Sequence, residues 1–136
     1  MAEPRVLVVD DNAMNVDLVT FVLEADGLHV ESAVDAEQAR SCIGARPPDL
    51  ILMDIQLPGM DGIEFTRLLK SDPSTRAIVI VAFTAYAMKG DEARMRDAGC
   101  DGYISKPIKV ATFAADVRAL LREGSGSSEP AADPSI

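Results

Sequence analysis

The sequence predicts an α/β protein built on a doubly wound, five-stranded parallel sheet with five helices. Three short apolar runs carry this prediction, at residues 6–9, 50–53 and 77–83. Such runs, rich in branched side chains, are typical of strands buried on both faces, as in a parallel sheet. Amphipathic stretches alternate with the strands up to about residue 122, which implies right-handed crossovers and helices that cover the sheet.

The five strands differ in how they are patterned. The first, third and fourth are continuous apolar runs, whereas the second alternates polar and apolar residues and suits a more exposed place in the sheet. The fifth is short and leads directly into Lys106 and Pro107. The strands are expected at residues 5–9, 29–33, 49–53, 77–83 and 102–105.

The helices are indicated by apolar residues at helical spacing and by the residues that stop them. In the first helix Leu18, Val22 and Ala25 fall on one face, and Gly27 is the expected stop. A Pro-Pro pair ends the second helix, and the stretch 54–62 is too rich in Pro and Gly to be helical. The helices are expected near residues 13–26, 35–45, 62–71, 89–98 and 109–122.

The composition of the 136 residues fits one domain, predicted at 1–123, followed by a small, polar and disordered tail at 124–136. The sequence shows no apolar run of membrane-spanning length and no secretory leader, so a soluble cytoplasmic protein is expected. Acidic residues outnumber basic ones by 22 to 13, which argues against a nucleic-acid binder. The two cysteines are too few for a disulfide framework or a zinc site.

Polar residues directly follow several of the predicted strands. Asp10 and Asp11 follow the first strand, Asp54 the third, and Thr84 the fourth. Because parallel strands point the same way, their carboxyl ends share one edge, where the chemistry of an open α/β sheet collects. The sequence therefore predicts a carboxylate cluster at that edge.

Such a cluster favours a bound cation. Two like charges about 5 Å apart repel each other by on the order of 3 kcal/mol, and oxygen ligands favour Mg²⁺ over zinc or copper. Magnesium takes only one or two carboxylates directly, which leaves one free. Asp54 is the candidate, since a carboxylate can attack phosphorus and hold a phosphoryl group. Lys106 would supply positive charge and Thr84 a hydroxyl to the transition state.

Each of these residues also has a structural interpretation. Asp10 and Asp11 could be acids at the start of a helix, where the helix dipole favours them. Asp54 could form the turn that follows it, Thr84 could cap a helix, and Lys106 could be a surface lysine. That account needs a coincidence at several strand ends, so the joint pattern favours a functional site.

With these residues in place, the chain resembles the receiver domain of bacterial two-component response regulators over about residues 4–122. The resemblance implies the flavodoxin-like strand order 2-1-3-4-5. Within the family, the stretches 87–92 and 99–108 are most similar to stand-alone single-domain regulators of the DivK type. The stretches that carry the resemblance are residues 8–12, residues 48–62, Thr84-Ala85 and Lys106-Pro107.

The resemblance implies a phosphoryl-accepting switch. Asp54 would take a phosphoryl group from a phosphohistidine on a sensor histidine kinase or a histidine phosphotransfer protein. Asp11 and Asp54 would bind Mg²⁺, for which Mn²⁺ could substitute. Asp10 would act largely through water, and Gln56 would contribute its backbone carbonyl. Lys106 would pair with the phosphoryl group, and its bond to the following proline is typically cis in the family.

The resemblance also implies how phosphorylation would change the surface of the domain. Thr84 would swing toward the phosphate and Tyr103 would turn inward behind it, a two-state change on the face formed by strand four, helix four and strand five. A downstream protein would bind that face. Gln56 and Tyr86 would tune the lifetime of the phosphate. The chain is expected to be a monomer or a weak phosphorylation-dependent dimer, to bind neither nucleic acid nor membrane, and not to be a turnover enzyme, although it takes part in its own phosphorylation and dephosphorylation.

Other functions are alternatives to a stand-alone phosphoryl-accepting switch. The chain could be a receiver module detached from a hybrid histidine kinase. A haloacid-dehalogenase-like phosphatase also forms an aspartyl phosphate, but its second acid would lie two residues after the nucleophile of the first strand, where this chain has Asn12. A nucleotide-binding switch would need a Gly-rich loop ending in Lys-Ser or Lys-Thr after that strand, and the sequence has none there. His29 is interpreted as a surface residue, not as a phosphate donor.

Overall fold

A computed structural model describes residues 4–55, 57, 59–84 and 89–126, with side chains described except at 89–92 and 123–126. Its five parallel strands form one sheet in the order β2-β1-β3-β4-β5. The strands are β1 (Arg5–Val9), β2 (His29–Ala33), β3 (Leu50–Met53), β4 (Val79–Thr84) and β5 (Gly102–Ser105). The helices are α1 (Ala13–Ala25), α2 (Ala36–Ala45), α3 (Gly62–Ser71), α4 (Lys89–Ala98) and α5 (Phe113–Gly126). The predicted fold class and strand order are confirmed.

The central strands are buried on both faces because alternate side chains enter different cores. In β1, Val6 and Val8 pack with residues of α1 and α5, whereas Leu7 and Val9 pack with residues of α2 and α3. All four residues of β3 are buried. The continuous apolar runs of the sequence therefore reflect two-sided burial. The alternating strand β2 lies at an edge of the sheet, as its pattern predicts.

The buried face of α1 differs from the one predicted. Of the three residues expected there, only Val22 is buried, whereas Leu18 is 40% exposed and Ala25 is exposed as well. The helix buries Val19, Val22 and Leu23 instead. Apolar residues occur on more than one side of this helix, so its periodicity allows two stripes, and contact with the sheet selects one of them.

The last helix is displaced along the chain from its predicted position near 109–122. Residues 110–112 form a turn, in which the amides of Thr112 and Phe113 both donate to the carbonyl of Lys109. The helix then runs through Gly126, so the predicted tail at 124–136 begins inside it, and residues 127–136 lie outside the described part of the chain. The domain boundary at 123 stays a prediction. Among the described helices, none has the length and hydropathy that a membrane span requires.

Candidate functional site

The carboxyl ends of β1 and β3 bring three aspartates together. Val9 and Met53 are register partners, so the residues that follow them are neighbours, and the amide of Asp54 donates to the carbonyl of Val9 at 2.9 Å. One carboxylate oxygen from each of Asp10, Asp11 and Asp54 lies within 4.8 Å of the others. The predicted acidic cluster therefore exists at the predicted edge. Asp10 and Asp54 are buried and Asp11 is exposed.

Lys106 directly follows β5, the strand on the far side of β4 from β3, and its side chain reaches this cluster. Its amide donates to the carbonyl of Thr84 at 2.9 Å, which extends the pairing of β4 and β5 by one residue. Its Nζ lies 2.8 Å from Oδ2 of Asp10 and donates to Oδ2 of Asp54 at 3.4 Å. The peptide bond from Lys106 to Pro107 is cis, as the family resemblance implies. The ammonium thus contacts two of the three carboxylates.

The two oxygens of Asp10 differ in their hydrogen bonding. Oδ1 accepts a hydrogen bond from the amide of Asn12 at 2.9 Å. Helix α1 begins at the next residue, and the side chain of Asn12 caps it by accepting a hydrogen bond from the amide of Asn15. Oδ2 is buried and has no hydrogen-bond partner among the described residues. Lys106 Nζ is close enough to form an ion pair with Oδ2 but does not approach it with hydrogen-bond geometry. A buried carboxylate oxygen is therefore left for a further positive partner.

The charge balance and the donor chemistry of the cluster fit a divalent cation. Among the described side chains of the site, three carboxylates and one ammonium give a net charge of minus two, and the side chain of Asp10 is fully buried while that of Asp54 is 8% exposed. Carboxylate oxygens are ligands that Mg²⁺ prefers, and magnesium sites commonly use one or two of them. Asp10, Asp11 and Asp54 are thus the residues that could hold a metal ion.

Thr84 and Tyr103 lie on the side of the site toward α4. Thr84 is the last residue of β4 and is 1% exposed. Tyr103 is half-buried on β5, opposite Ala82, and packs against the small core cluster that also contains Met95 and Ala98 of α4. The structure therefore places Thr84 at the end of the strand next to β3, and Tyr103 against a core cluster that includes residues of α4. The two predicted tuning positions, Gln56 and Tyr86, lie outside the described residues.

Phe83 contacts the site, although sequence reasoning did not single it out. Nζ of Lys106 lies over its ring, 5.0 Å from the ring centroid. An aromatic residue inside an apolar strand is interpreted as core, and Phe83 is indeed 1% exposed. The signal that could have found it is its position immediately before Thr84, on the strand that pairs with the one preceding Lys106.

The start of α3 lies directly against the backbone of Asp54 and Ile55. The amide of Gly62 donates to the carbonyl of Ile55 at 2.8 Å, and the side chain of Asp61 caps the helix by accepting from the amide of Ile63 at 2.7 Å. A Cβ atom at Gly62 would overlap the carbonyl of Asp54. The Pro- and Gly-rich stretch after β3 therefore allows a helix to begin directly against the residue that carries the candidate nucleophile.

Comparisons with known proteins agree on one family. A family model of the response regulator receiver domain matches residues 6–118. The polar-differentiation response regulator DivK of Brucella anthropi is 44% identical over 116 residues, which cover 85% of this chain and 94% of the relative.

Solved structures of receiver domains have the same fold. The receiver domain of sensor histidine kinase PA1611 from Pseudomonas aeruginosa, with a magnesium ion coordinated in its active site cleft, is 32% identical with a TM-score of 0.78, over 92% of this chain and 99% of that one. A CheY-like receiver domain protein from Methanospirillum hungatei is 28% identical with a TM-score of 0.83, over 92% of this chain and 98% of that one. With the match of the family model, these findings show that the chain belongs to the response regulator receiver family of phosphoryl-accepting signalling proteins.

Proposed function

We propose that this chain is a phospho-accepting switch of a two-component or phosphorelay system, with Asp54 as the phosphoacceptor. The observation that carries the proposal is the placement of the Lys106 ammonium against Asp10 and Asp54, at 2.8 Å and 3.4 Å. A positive group in this position can stay with the oxygens of a phosphoryl group as it arrives on Asp54. The burial of the pair strengthens that interaction, since little water screens it.

In the proposed reaction, a carboxylate oxygen of Asp54 forms a bond to phosphorus as the bond from phosphorus to the donor imidazole breaks. The bonding electrons return to the imidazole nitrogen, and an aspartyl phosphate is formed. Asp11 and Asp54 would hold Mg²⁺ directly, with Asp10 acting through water, and the bound ion would neutralise charge on the phosphoryl oxygens. Lys106 would pair with another of those oxygens, and the hydroxyl of Thr84 would donate to a third.

The proposed output is a change on the face formed by β4, α4 and β5, to which a downstream protein would bind. Thr84, at the end of β4, would follow the new charge on Asp54. Tyr103 already packs against a core cluster that includes Met95 and Ala98 of α4, so a change in its position would alter that face. Gln56 and Tyr86 would tune how long the phosphate survives.

An exposed apolar stripe on α1 supports docking of a phosphohistidine donor beside this edge. Met14, Leu18 and Phe21 follow at helical spacing and are 81%, 40% and 72% exposed. The stripe begins in the first turn of α1, just after Asp10 and Asp11. A donor must bring its histidine to Asp54, and we propose that an apolar helical surface of the donor covers this stripe.

The phosphoacceptor is tested by incubating the full chain with Mg²⁺ and acetyl phosphate and measuring intact mass. The wild-type chain should gain one phosphoryl group, and a chelator should prevent the gain. Asp54→Asn should gain none, because the amide cannot act as the nucleophile, whereas Asp97→Asn, at an exposed aspartate of α4, should label normally. Equal labelling of Asp54→Asn and wild type would contradict the proposal.

The docking stripe is tested by transfer from the phosphorylated histidine kinase that reacts fastest with the chain. Phe21→Ser should slow this transfer about tenfold, a loss of the size that a buried aromatic contact produces. The same variant should label normally with acetyl phosphate, which needs no docking surface. Val34→Ser changes another apolar residue, 50% exposed and outside the stripe, and should leave both rates unchanged. Normal transfer to Phe21→Ser would exclude the stripe.

A further inference from the structure

We propose that Phe83 is a positioning residue for Lys106, with its ring holding the ammonium where phosphoryl transfer to Asp54 needs it. This inference rests on the proposed function. Nζ of Lys106 lies 5.0 Å from the centroid of the Phe83 ring, inside the range of about 6 Å over which a ring face attracts a cation. The ring therefore contributes an electrostatic contact as well as apolar burial.

The surroundings of this contact make it strong. The side chain of Lys106 is 13% exposed and Phe83 is 1% exposed, so water screens the interaction little. Attraction between a cation and a ring is largest in such a desolvated place. The Phe83 ring in turn packs against Phe113 of α5, with centroids 6.1 Å apart and planes tilted by 34°. Its orientation is thus set from a second element of the fold.

The carboxylates alone would not hold the ammonium in the same way. Lysine carries its charge on a flexible four-carbon stem, and the nearer carboxylate is that of Asp10, at 2.8 Å, not that of Asp54, at 3.4 Å. The charges around the ammonium also change when a phosphoryl group reaches Asp54. The ring keeps its attraction through that change, and so limits the positions that Lys106 can take before and after transfer.

The test is a double-mutant cycle on the rate of labelling by acetyl phosphate with Mg²⁺. Phe83→Leu should slow labelling about tenfold in the chain that retains Lys106. In the Lys106→Met background the same substitution should have no further effect, because no ammonium is left to position. An equal factor in both backgrounds would overturn the proposal, since it would show that Phe83 acts only through packing.

Two further variants separate electrostatics from packing. Phe65→Leu makes the same truncation at a fully buried ring in the other core, and should lower stability without slowing labelling. A ring-fluorinated phenylalanine at position 83 keeps the shape but removes the negative face of the ring, and should slow labelling as Phe83→Leu does. Unchanged labelling with the fluorinated ring would overturn the proposal. Failure of the wild-type chain to label at Asp54 would instead remove the proposed function itself.

Discussion

Two lysine–aspartate pairs lie at opposite ends of the strands, one where strands begin and one where they end. The two pairs have the same N–O separation and different surroundings. Lys70 Nζ is 2.8 Å from Oδ2 of Asp101, at the edge where β4 and β5 begin. Lys106 Nζ is 2.8 Å from Oδ2 of Asp10, at the edge where the strands end. Distance alone does not distinguish the two pairs.

The Lys70 pair is a closed network. Its ammonium also donates to the carbonyl of Arg76 at 3.0 Å and to that of Ile78 at 2.8 Å, so all three of its hydrogens have acceptors. Oδ2 of Asp101 additionally accepts from the amide of Ile80 at 2.9 Å. One positive and one negative charge balance, and the network ties α3 to the starts of β4 and β5.

The Lys106 pair belongs to an open network, in which the described charges do not balance. In the described part of the site three carboxylates lie together with a single ammonium, which contacts two of them, and one buried oxygen of Asp10 has no hydrogen bond there. The described side chains of this network thus carry a net charge of minus two. A short ion pair by itself therefore does not indicate a functional site, whereas unbalanced charge beside buried carboxylates does favour one, because it costs free energy unless a ligand offsets it.

The largest effect is expected when the ammonium of Lys106 is removed from the open network. Lys106→Met should slow labelling by acetyl phosphate about 10²–10³-fold, the loss expected when a group that stabilises the transition state is deleted. Without Mg²⁺ it should also lower the free energy of unfolding by roughly 3–5 kcal/mol, since it leaves buried carboxylates without a counter-charge. Urea unfolding with and without Mg²⁺ measures this, and the ion should restore part of the loss. A labelling rate equal to that of wild type would contradict the role of Lys106.

A smaller effect on stability is expected when the ammonium is removed from the closed network of Lys70. Lys70→Met removes three hydrogen bonds of a half-buried ammonium and should lower the free energy of unfolding by about 1–3 kcal/mol. The loss should be the same with and without Mg²⁺, and the labelling rate should stay within about twofold of wild type, as for distant independent sites. A slowing as large as that of Lys106→Met would show that the two edges are coupled.

The last effect, confined to high pH, concerns Cys100, next to the closed network. Burial raises the pKa of its thiol from the usual 9.0 to about 11; a hydrogen bond with Thr66 and the charge of Lys70 act in the opposite direction, and Asp101 in the same one. The unfolded chain therefore loses this proton first, so stability falls as the pH rises from about 9 to about 11, by on the order of 2 kcal/mol in total.

Urea unfolding over this pH range measures the contribution of the thiol. Cys100→Ala should flatten the fall, whereas Cys42→Ala, at the other free cysteine, should leave most of it. An undiminished fall in Cys100→Ala would assign it to other groups.

The positions of the site residues could be predicted because they depend on a local pattern and one topological rule. Asp10, Asp54 and Thr84 each end an apolar run, and parallel strands have their ends at one edge. The buried face of α1 could not be predicted in the same way. Leu18 and Val19 are equally apolar, and contact with the sheet decides which of them is buried.

The alternation of strands and helices, the family, and the end of the sheet at which the acidic residues meet can all be inferred from the sequence alone, because strand period and strand order along the chain are local properties. In contrast, the closer approach of Lys106 to Asp10 than to Asp54, and the position of the Phe83 ring under its ammonium, depend on tertiary packing. These contacts join residues far apart in the chain. Their distances follow from the packing of β1, β3, β4 and β5 against one another, which no single stretch of sequence specifies.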